Sequence, residues 1–251
     1  MTLQAWPYPA LFAHRGGGYL APENTLPGMA EAVARGFHAV EFDVKLSSDN
    51  YTFLLHDDSI DRTSNGRGLA ARMTLAELQQ ADAGSWHGSR FAGTVFPRFA
   101  EVARYCQQHG LLANVEIKPC PGRDRETGEQ VAREAAQLWA GQPVPPLLSS
   151  FSWEALVAAR DAAPHLPRGW LVEEWPDDWE ARLRELGCLS FNCDYLILTA
   201  ERVAAIKAAG YRVMAYTVND ADRARELLSW GVDGLFTDAL DSLREAILRQ
   251  D

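Results

Sequence analysis

Two short segments carry polar or charged side chains at every second residue, three carboxylates among them. Val40-Glu41-Phe42-Asp43-Val44-Lys45-Leu46 alternates apolar with charged positions, and Asn114-Val115-Glu116-Ile117-Lys118 repeats the pattern. Side chains alternate across a β-strand, so Val40, Phe42, Val44 and Leu46 would face surrounding helices while Glu41, Asp43 and Lys45 face an interior. The same count sets Asn114, Glu116 and Lys118 inward against Val115 and Ile117. Carboxylates that share a buried face need a cation, a proton or an arginine, because burying them unpaired is costly. Glu41, Asp43 and Glu116 form a hard oxygen set that suits a divalent metal ion, Mg²⁺ or Ca²⁺, with waters and a substrate oxygen completing the shell. Ion pairs with Lys45 and Lys118 are the plainer use of the same three acids.

Histidines stand beside these segments. His14-Arg15-Gly16-Gly17-Gly18 closes an apolar run at 11–15, and His56-Asp57 closes another at 51–56. Two imidazoles can divide acid and base duties near neutral pH. Arg15, with its planar fork, and Lys118, as a point charge, can hold phosphate oxygens. The glycines at 16–18 either let the backbone approach a phosphate or make a tight turn. His38, His87, His109 and His165 fall in helix ends, an irregular stretch or loops and receive no role.

These groups meet only if the fold brings strand ends together. A glycine follows a helix-like stretch and precedes a short apolar run at Gly36, Gly110, Gly187, Gly210 and Gly231. Glycine readily takes the left-handed conformation that closes a helix, and the apolar run then reads as a strand buried on both faces. Helix starts agree: Thr74 with Glu77 is a capping box, Ser152, Thr199 and Asp220 sit at N-cap positions, and Pro27 follows Asn24 and Thr25. Apolar residues recur at helical spacing in Leu26, Ala30, Val33 and Phe37, and in Phe99, Val102, Ala103 and Cys106. Trp139, Trp153, Trp179 and Trp230 suit packing between barrel and helices, whereas Tyr216 suits either the mouth or an outward position.

Strands are expected at 11–15, 39–46, 51–56, 111–118, 147–151, 168–172, 194–198, 211–218 and 233–237. Alternation of strand and helix over the chain implies a parallel sheet, and the fold expected is α/β, a (β/α)₈ barrel. The list holds one strand more than eight. The gap between 46 and 51 cannot hold a helix, so 39–46 and 51–56 form a hairpin, and one of them is not a full stave. Residues 58–98, with Asn65-Gly66, Gly68, Gly84, Gly88, Gly93 and Pro97 and one short helix, read as a small irregular insertion over one barrel end.

Composition bounds the function. The 251 residues, 47% hydrophobic and 23% charged, suit one domain over 1–251. A net charge of −10 without a basic run removes the counterion-release attraction on which nucleic-acid binding depends. A bound cation would reverse the local field, so an anionic small-molecule substrate stays compatible with that charge. Cys106, Cys120, Cys188 and Cys193 form no CxxC pair and suit packing in a reduced protein. The N-terminal stretch MTLQAWPYPALFAH lacks a basic start and a long apolar run, and no window reaches the length of a membrane span. The expectation is a cytoplasmic protein without stable membrane association, either monomer or homo-oligomer.

The chain resembles the glycerophosphodiester phosphodiesterase family. The resemblance runs through AHRGGGYLAPENTLPGMAEAVARG (13–36), AVEFDVKLSSDNYTFLLHDDSIDRTSNGRG (39–68), VEIKP (115–119), SSFS (149–152), YTVND (216–220) and GVDGLFTD (231–238), in the family's order. It implies metal-dependent hydrolysis of glycerophosphodiesters, such as glycerophosphocholine or glycerophosphoethanolamine, to glycerol-3-phosphate and an alcohol. It also implies that Glu41, Asp43 and Glu116 ligate the metal, that His14 and His56 are the acid and base pair, and that Arg15 and Lys118 meet the phosphate. Segment 58–98 looks like the family's insertion. Two positions depart from the pattern: Tyr216 stands where the family has tryptophan, and Ala239-Leu240 replaces a proline after the last Thr-Asp. Which histidine is the acid, and whether water or a neighbouring glycerol hydroxyl attacks first, stay open. The competing readings are a lipid-directed phosphodiesterase of the phospholipase type and a non-catalytic barrel that binds phosphorylated ligands.

Overall fold

The computed structural model describes residues 6–248. Part of the N-terminal stretch read above, residues 1–5, lies outside the described residues, as do 249–251 at the end of the expected domain.

Eight parallel strands close into a barrel: β1 (Leu11–Ala13), β2 (Ala39–Leu46), β4 (Leu112–Ile117), β5 (Leu147–Ser150), β6 (Arg168–Val172), β7 (Ser190–Asp194), β8 (Arg212–Tyr216) and β9 (Gly234–Thr237). Each pairs with its neighbour in turn, and β1 joins β9 on one side and β2 on the other. β3 (Thr52–Leu54) runs antiparallel to β2, pairing Val44 with Leu54 and Leu46 with Thr52. The extra strand is thus the second arm of the expected hairpin and no stave. Helices α1 (Leu26–Ala34), α3 (Phe99–His109), α4 (Asp124–Leu138), α5 (Trp153–Ala162), α6 (Trp179–Leu186), α7 (Ala200–Ala208), α8 (Ala221–Ser229) and α9 (Leu240–Leu248) follow strands and pack outside, as a (β/α)₈ barrel requires.

Helix boundaries fall where the cap chemistry puts them. Thr25, Ser152, Thr199 and Asp220 each accept an N–H from the first turn, while Gly110 and Gly187 close α3 and α6 in the left-handed region. In α1 the buried face is Met29 and Ala32, and Ala30 is exposed, a one-step rotation from the spacing read in the sequence.

One expected strand is misplaced. The apolar run 194–198 is not β7; the strand lies at Ser190–Asp194, and Tyr195–Ile197 form a single 3-10 turn. The interior side of β7 is polar, Ser190 and Asn192, so its alternation with Phe191 and Cys193 hid it behind the more apolar segment that follows. Other strands end earlier than expected at their carboxyl ends: β1 stops at Ala13 and β3 at Leu54, leaving His14, Arg15 and His56 in the turns beyond.

The 58–98 segment holds one short helix, α2 (Leu75–Leu78), opened by the Thr74–Glu77 capping box, with 3-10 turns at Ala70–Arg72 and Ser89–Phe91. It packs a small core of its own, in which Ile60, Leu75, Leu78 and Phe96 meet Phe53 and Leu55 at the end of the hairpin. All four cysteines are buried and free, and Trp139, Trp153, Trp179 and Trp230 pack in or against the layer between barrel and helices. Among the described residues no helix is long and apolar enough to cross a membrane.

Candidate active site

Register assembles the acidic trio. β2 and β4 pair with Asp43 beside Glu116 and Glu41 beside Asn114, so the two inward faces align carboxylate against carboxylate. Val40, Phe42 and Val44, with Val115 and Ile117, point into the helix layer, as alternation demands. The three acids are buried, and one oxygen from each lies within 4.8 Å of the other two. Glu41 Oε1 is buried without a hydrogen-bond partner among the described residues. An orphaned lone pair inside a cluster of three carboxylates is the signature of a cation seat, so these residues fit a divalent ion.

Their titration reflects the crowding. Burial, with Asp43 adjacent, pushes the Glu41 carboxyl well above the ordinary range, and burial with Asp43 does the same to Glu116 against the pull of Lys118. Burial acts on Asp43 too, but Arg15, His56, Lys118 and the Asn24 amide outweigh it and hold that carboxyl low. Without a cation the crowding therefore favours a firm negative charge on Asp43 and works against full ionisation of Glu41 and Glu116.

The first loop is built to grip this cluster. Arg15 takes a left-handed backbone with φ near +49°, unusual for a side chain of its size. Its N–H donates to Glu41 Oε2 at 3.0 Å, and its carbonyl accepts from the backbone of Gly17 and Asn24. Asn24, also left-handed, clamps Asp43 twice, donating from Nδ2 to Oδ2 at 2.8 Å and accepting the Asp43 N–H at 3.0 Å. Of the two uses considered for the glycine run, the packing fits a tight turn: a Cβ on Gly18, at φ near +50°, would fall 2.2 Å from the Asp238 carbonyl oxygen.

Both imidazoles are braced in the same way. His14 Nδ1 lies 2.7 Å from Asp238 Oδ1, and its Nε2 lies 3.8 Å from Glu41. His56 Nδ1 lies 2.8 Å from Asp57 Oδ1. Bonds from His14 and Asn219 hold Asp238 ionised against its burial, and the Arg62 guanidinium holds Asp57 ionised. Each carboxylate then accepts Nδ1–H and leaves Nε2 as the free nitrogen. Burial lowers the affinity of His56 for a proton; in His14 burial is outweighed by Asp238 and Glu41, and its affinity rises.

Arg15 Nη1 rests on Glu23 at 2.8 Å with Nε 3.6 Å from Asp43, and Lys118 Nζ meets Glu116 at 2.8 Å. Lys45, fully buried, does not pair with the trio but reaches Asp58 at 3.1 Å, so the plain ion-pair use of the acids holds only for Glu116. A cavity of about 250 Å³ opens above the cluster, lined on one side by His14, Arg15, Glu41, His56, Glu116 and Lys118. Its other side is Phe151, Leu171, Tyr216 and Phe236. Tyr216 thus faces the mouth, its hydroxyl donating to the Val172 carbonyl at 2.7 Å and its ring meeting Phe151 edge-on.

All seven residues singled out from the sequence converge here. The braces Asp238, Asp57, Asn24 and Glu23 were given no role there. Asp57 and Asp238 each follow a strand end, the same position that marked the histidines, and were legible on that rule; Glu23 and Asn24 carry no pattern of their own.

Arrangement and ancestry agree. Residues 14–242 match the model of the glycerophosphoryl diester phosphodiesterase family. A glycerophosphodiester phosphodiesterase of Caldanaerobacter subterraneus subsp. tengcongensis is 31% identical over 238 residues, covering 93% of this chain and 95% of that protein. One of Bacillus subtilis is 28% identical, covering 91% and 83%. The solved structure of an Oleispira antarctica phosphodiesterase, in complex with the product sn-glycerol-3-phosphate, is 37% identical with a TM-score of 0.90, covering 96% of this chain and 97% of that one. On a match that runs from His14 to Ser242, the chain belongs to the glycerophosphoryl diester phosphodiesterase family, the one its motifs resemble.

Proposed function

We propose that this enzyme hydrolyses soluble glycerophosphodiesters, such as glycerophosphocholine and glycerophosphoethanolamine, to glycerol-3-phosphate and the free alcohol, using a divalent cation, Mg²⁺ or Ca²⁺. The observation that carries the reading is the convergence of three carboxylates, two carboxylate-braced imidazoles and two phosphate-sized cationic groups around one cavity. Binding alone needs no pair of braced imidazoles, which favours chemistry over a ligand-holding barrel.

Glu41, Asp43 and Glu116 would hold the cation, which supplies Lewis-acid charge to the phosphoryl oxygens when bound. Arg15 and Lys118 hold the non-bridging oxygens and orient the phosphorus. One imidazole takes the proton of the attacking oxygen at Nε2 as the new P–O bond forms. The other gives its proton to the departing alcohol oxygen as the old P–O bond breaks, so the pair ends with its protons exchanged and no net charge moved.

The test is product analysis. Purified protein is incubated with glycerophosphocholine, glycerophosphoethanolamine and a lysophospholipid, each with EDTA or with Mg²⁺ or Ca²⁺. Glycerol-3-phosphate from the two soluble diesters, only with metal, is the expected result. Release of inorganic phosphate, or a preference for the lysophospholipid, would overturn it.

A further inference from the structure

One cation of the 58–98 segment joins both arms of the site. Arg62 lies between Ile60, buried in the segment's small core, and Thr63, also buried, so the turn that carries it is fixed on both sides. The turn is closed by Ile60 N–H to the Gly68 carbonyl and by Gly68 N–H to Asp61 Oδ1. From there the guanidinium makes two forks. Nη1 and Nη2 donate to the two oxygens of Glu23 at 2.7 and 2.8 Å, and Nε and Nη2 donate to the two oxygens of Asp57 at 2.7 and 3.0 Å.

The oxygens it holds are shared. Glu23 Oε1 also accepts from Arg15, and Asp57 Oδ1 is the atom facing His56 Nδ1. The chain of contacts Arg15, Glu23, Arg62, Asp57, His56 therefore alternates in charge from a phosphate-binding group to a proton-transfer group. Bidentate pairing fixes direction as well as distance, which a single ammonium cannot do for two carboxylates at once.

We infer that Arg62 is a positioning residue, which sets the orientation of the His56 imidazole and the Arg15 guanidinium through Asp57 and Glu23. The inference rests on the function proposed above for its effect on turnover, but its effect on His56 is independent of any substrate. Without Arg62, two carboxylates face each other across the gap, Asp57 loses the partner that keeps it a fixed acceptor, and the His56 ring is free to turn.

The experiment compares Arg62→Ala, Arg62→Lys and, as a control from the same segment, Arg67→Ala, whose side chain is solvent-exposed and lies 3.9 Å from Asp61. Imidazole ¹⁵N shifts report the tautomer of His56 and His14 in each. Arg62→Ala should move His56 from the Nδ1–H form toward a mixture while His14, braced by Asp238, stays as it is. Its kcat should fall about tenfold or more, Arg62→Lys should lie between, and Arg67→Ala should match the wild type. If Arg62→Ala does not fold, Arg62→Lys and Arg62→Gln carry the same measurements. His56 shifts that do not change, or a fall in melting temperature with His14 and His56 disturbed alike, would reduce Arg62 to a structural tie and end the proposal. A shifted His56 tautomer in a protein that cleaves no glycerophosphodiester would leave the positioning role standing and sink the assigned substrate.

Discussion

The two ends of the barrel interior are built from the same strands yet do opposite things. At the amino end Phe12, Ala39, Leu147, Met214 and Phe236, with Tyr8, pack into an apolar floor. Two or four residues further along those strands stand His14, Glu41 with Asp43, Tyr216 and Asp238. Alternation decides which side chains face inward, and position along the strand then decides whether they close the floor or form the site. The floor gains from every contact, since Phe12 and Phe236 lie with ring centroids 5.3 Å apart among apolar neighbours. The upper layer is a concentration of like charge held in place by the groups around it. One end contributes stability and the other uses it.

A substitution in the upper layer that is nearly isosteric separates the two contributions most sharply. Glu41→Gln keeps an oxygen for the Arg15 N–H and removes a charge that burial and Asp43 already disfavour. It is expected to lower kcat/KM about 10³-fold while the melting temperature of the metal-free protein at pH 8 does not fall. Wild-type turnover in this variant would remove Glu41 from the cation site.

In the floor the same comparison runs the other way. Phe12 is fully buried and does not line the cavity. Phe12→Ala should cost about 3–5 kcal/mol by denaturant unfolding with an unchanged slope, yet leave kcat of the folded protein near wild type at temperatures well below the transition. A large loss of kcat in a fully folded sample would show that floor and site are mechanically one layer.

How much of this could be read beforehand follows the same divide. The strands β2 and β4 declared themselves because polar or charged residues alternate with apolar ones along both, whereas the register that sets Asp43 beside Glu116 came only with the fold. β7 did not, because its interior residues Ser190 and Asn192 broke the apolar run on which a buried strand is recognised. What the braces touch was hidden for a different reason. Asp238 and His14 are 224 positions apart and meet only because β9 and β1 are neighbours at barrel closure. Arg62 sits in a turn whose path depends on the packing of Ile60 and Phe96, and no periodicity in residues 58–98 foretells it. Side chains on a strand or at its carboxyl end were legible; the partnerships that an irregular segment or barrel closure sets needed the fold.

The smallest effect concerns pH, and it tests whether the upper layer is held together by protons when no cation is present. Glu41 and Glu116 have raised pKa values in the metal-free fold, so between the ordinary glutamate range and those raised values the folded chain binds protons that the unfolded chain has released. Stability of the metal-free protein must then decline as pH rises through that window, because the unfolded state binds fewer protons there. A cation needs the ionised carboxylates and displaces those protons, so its apparent affinity moves in the opposite direction. Calorimetry with Mg²⁺ between about pH 5 and pH 8 should show proton release on binding and an affinity that rises by up to about tenfold per pH unit for each proton displaced. The rise in melting temperature produced by the metal should grow in parallel. In the floor, where burial keeps the Tyr8 phenol protonated throughout this range, Phe12→Ala should lower stability by the same amount at both ends of it. Metal affinity that is flat across it would mean that all three acids are already ionised in the empty site, and the charge crowding inferred for the upper layer would have to be relieved by Arg15 and Lys118 alone.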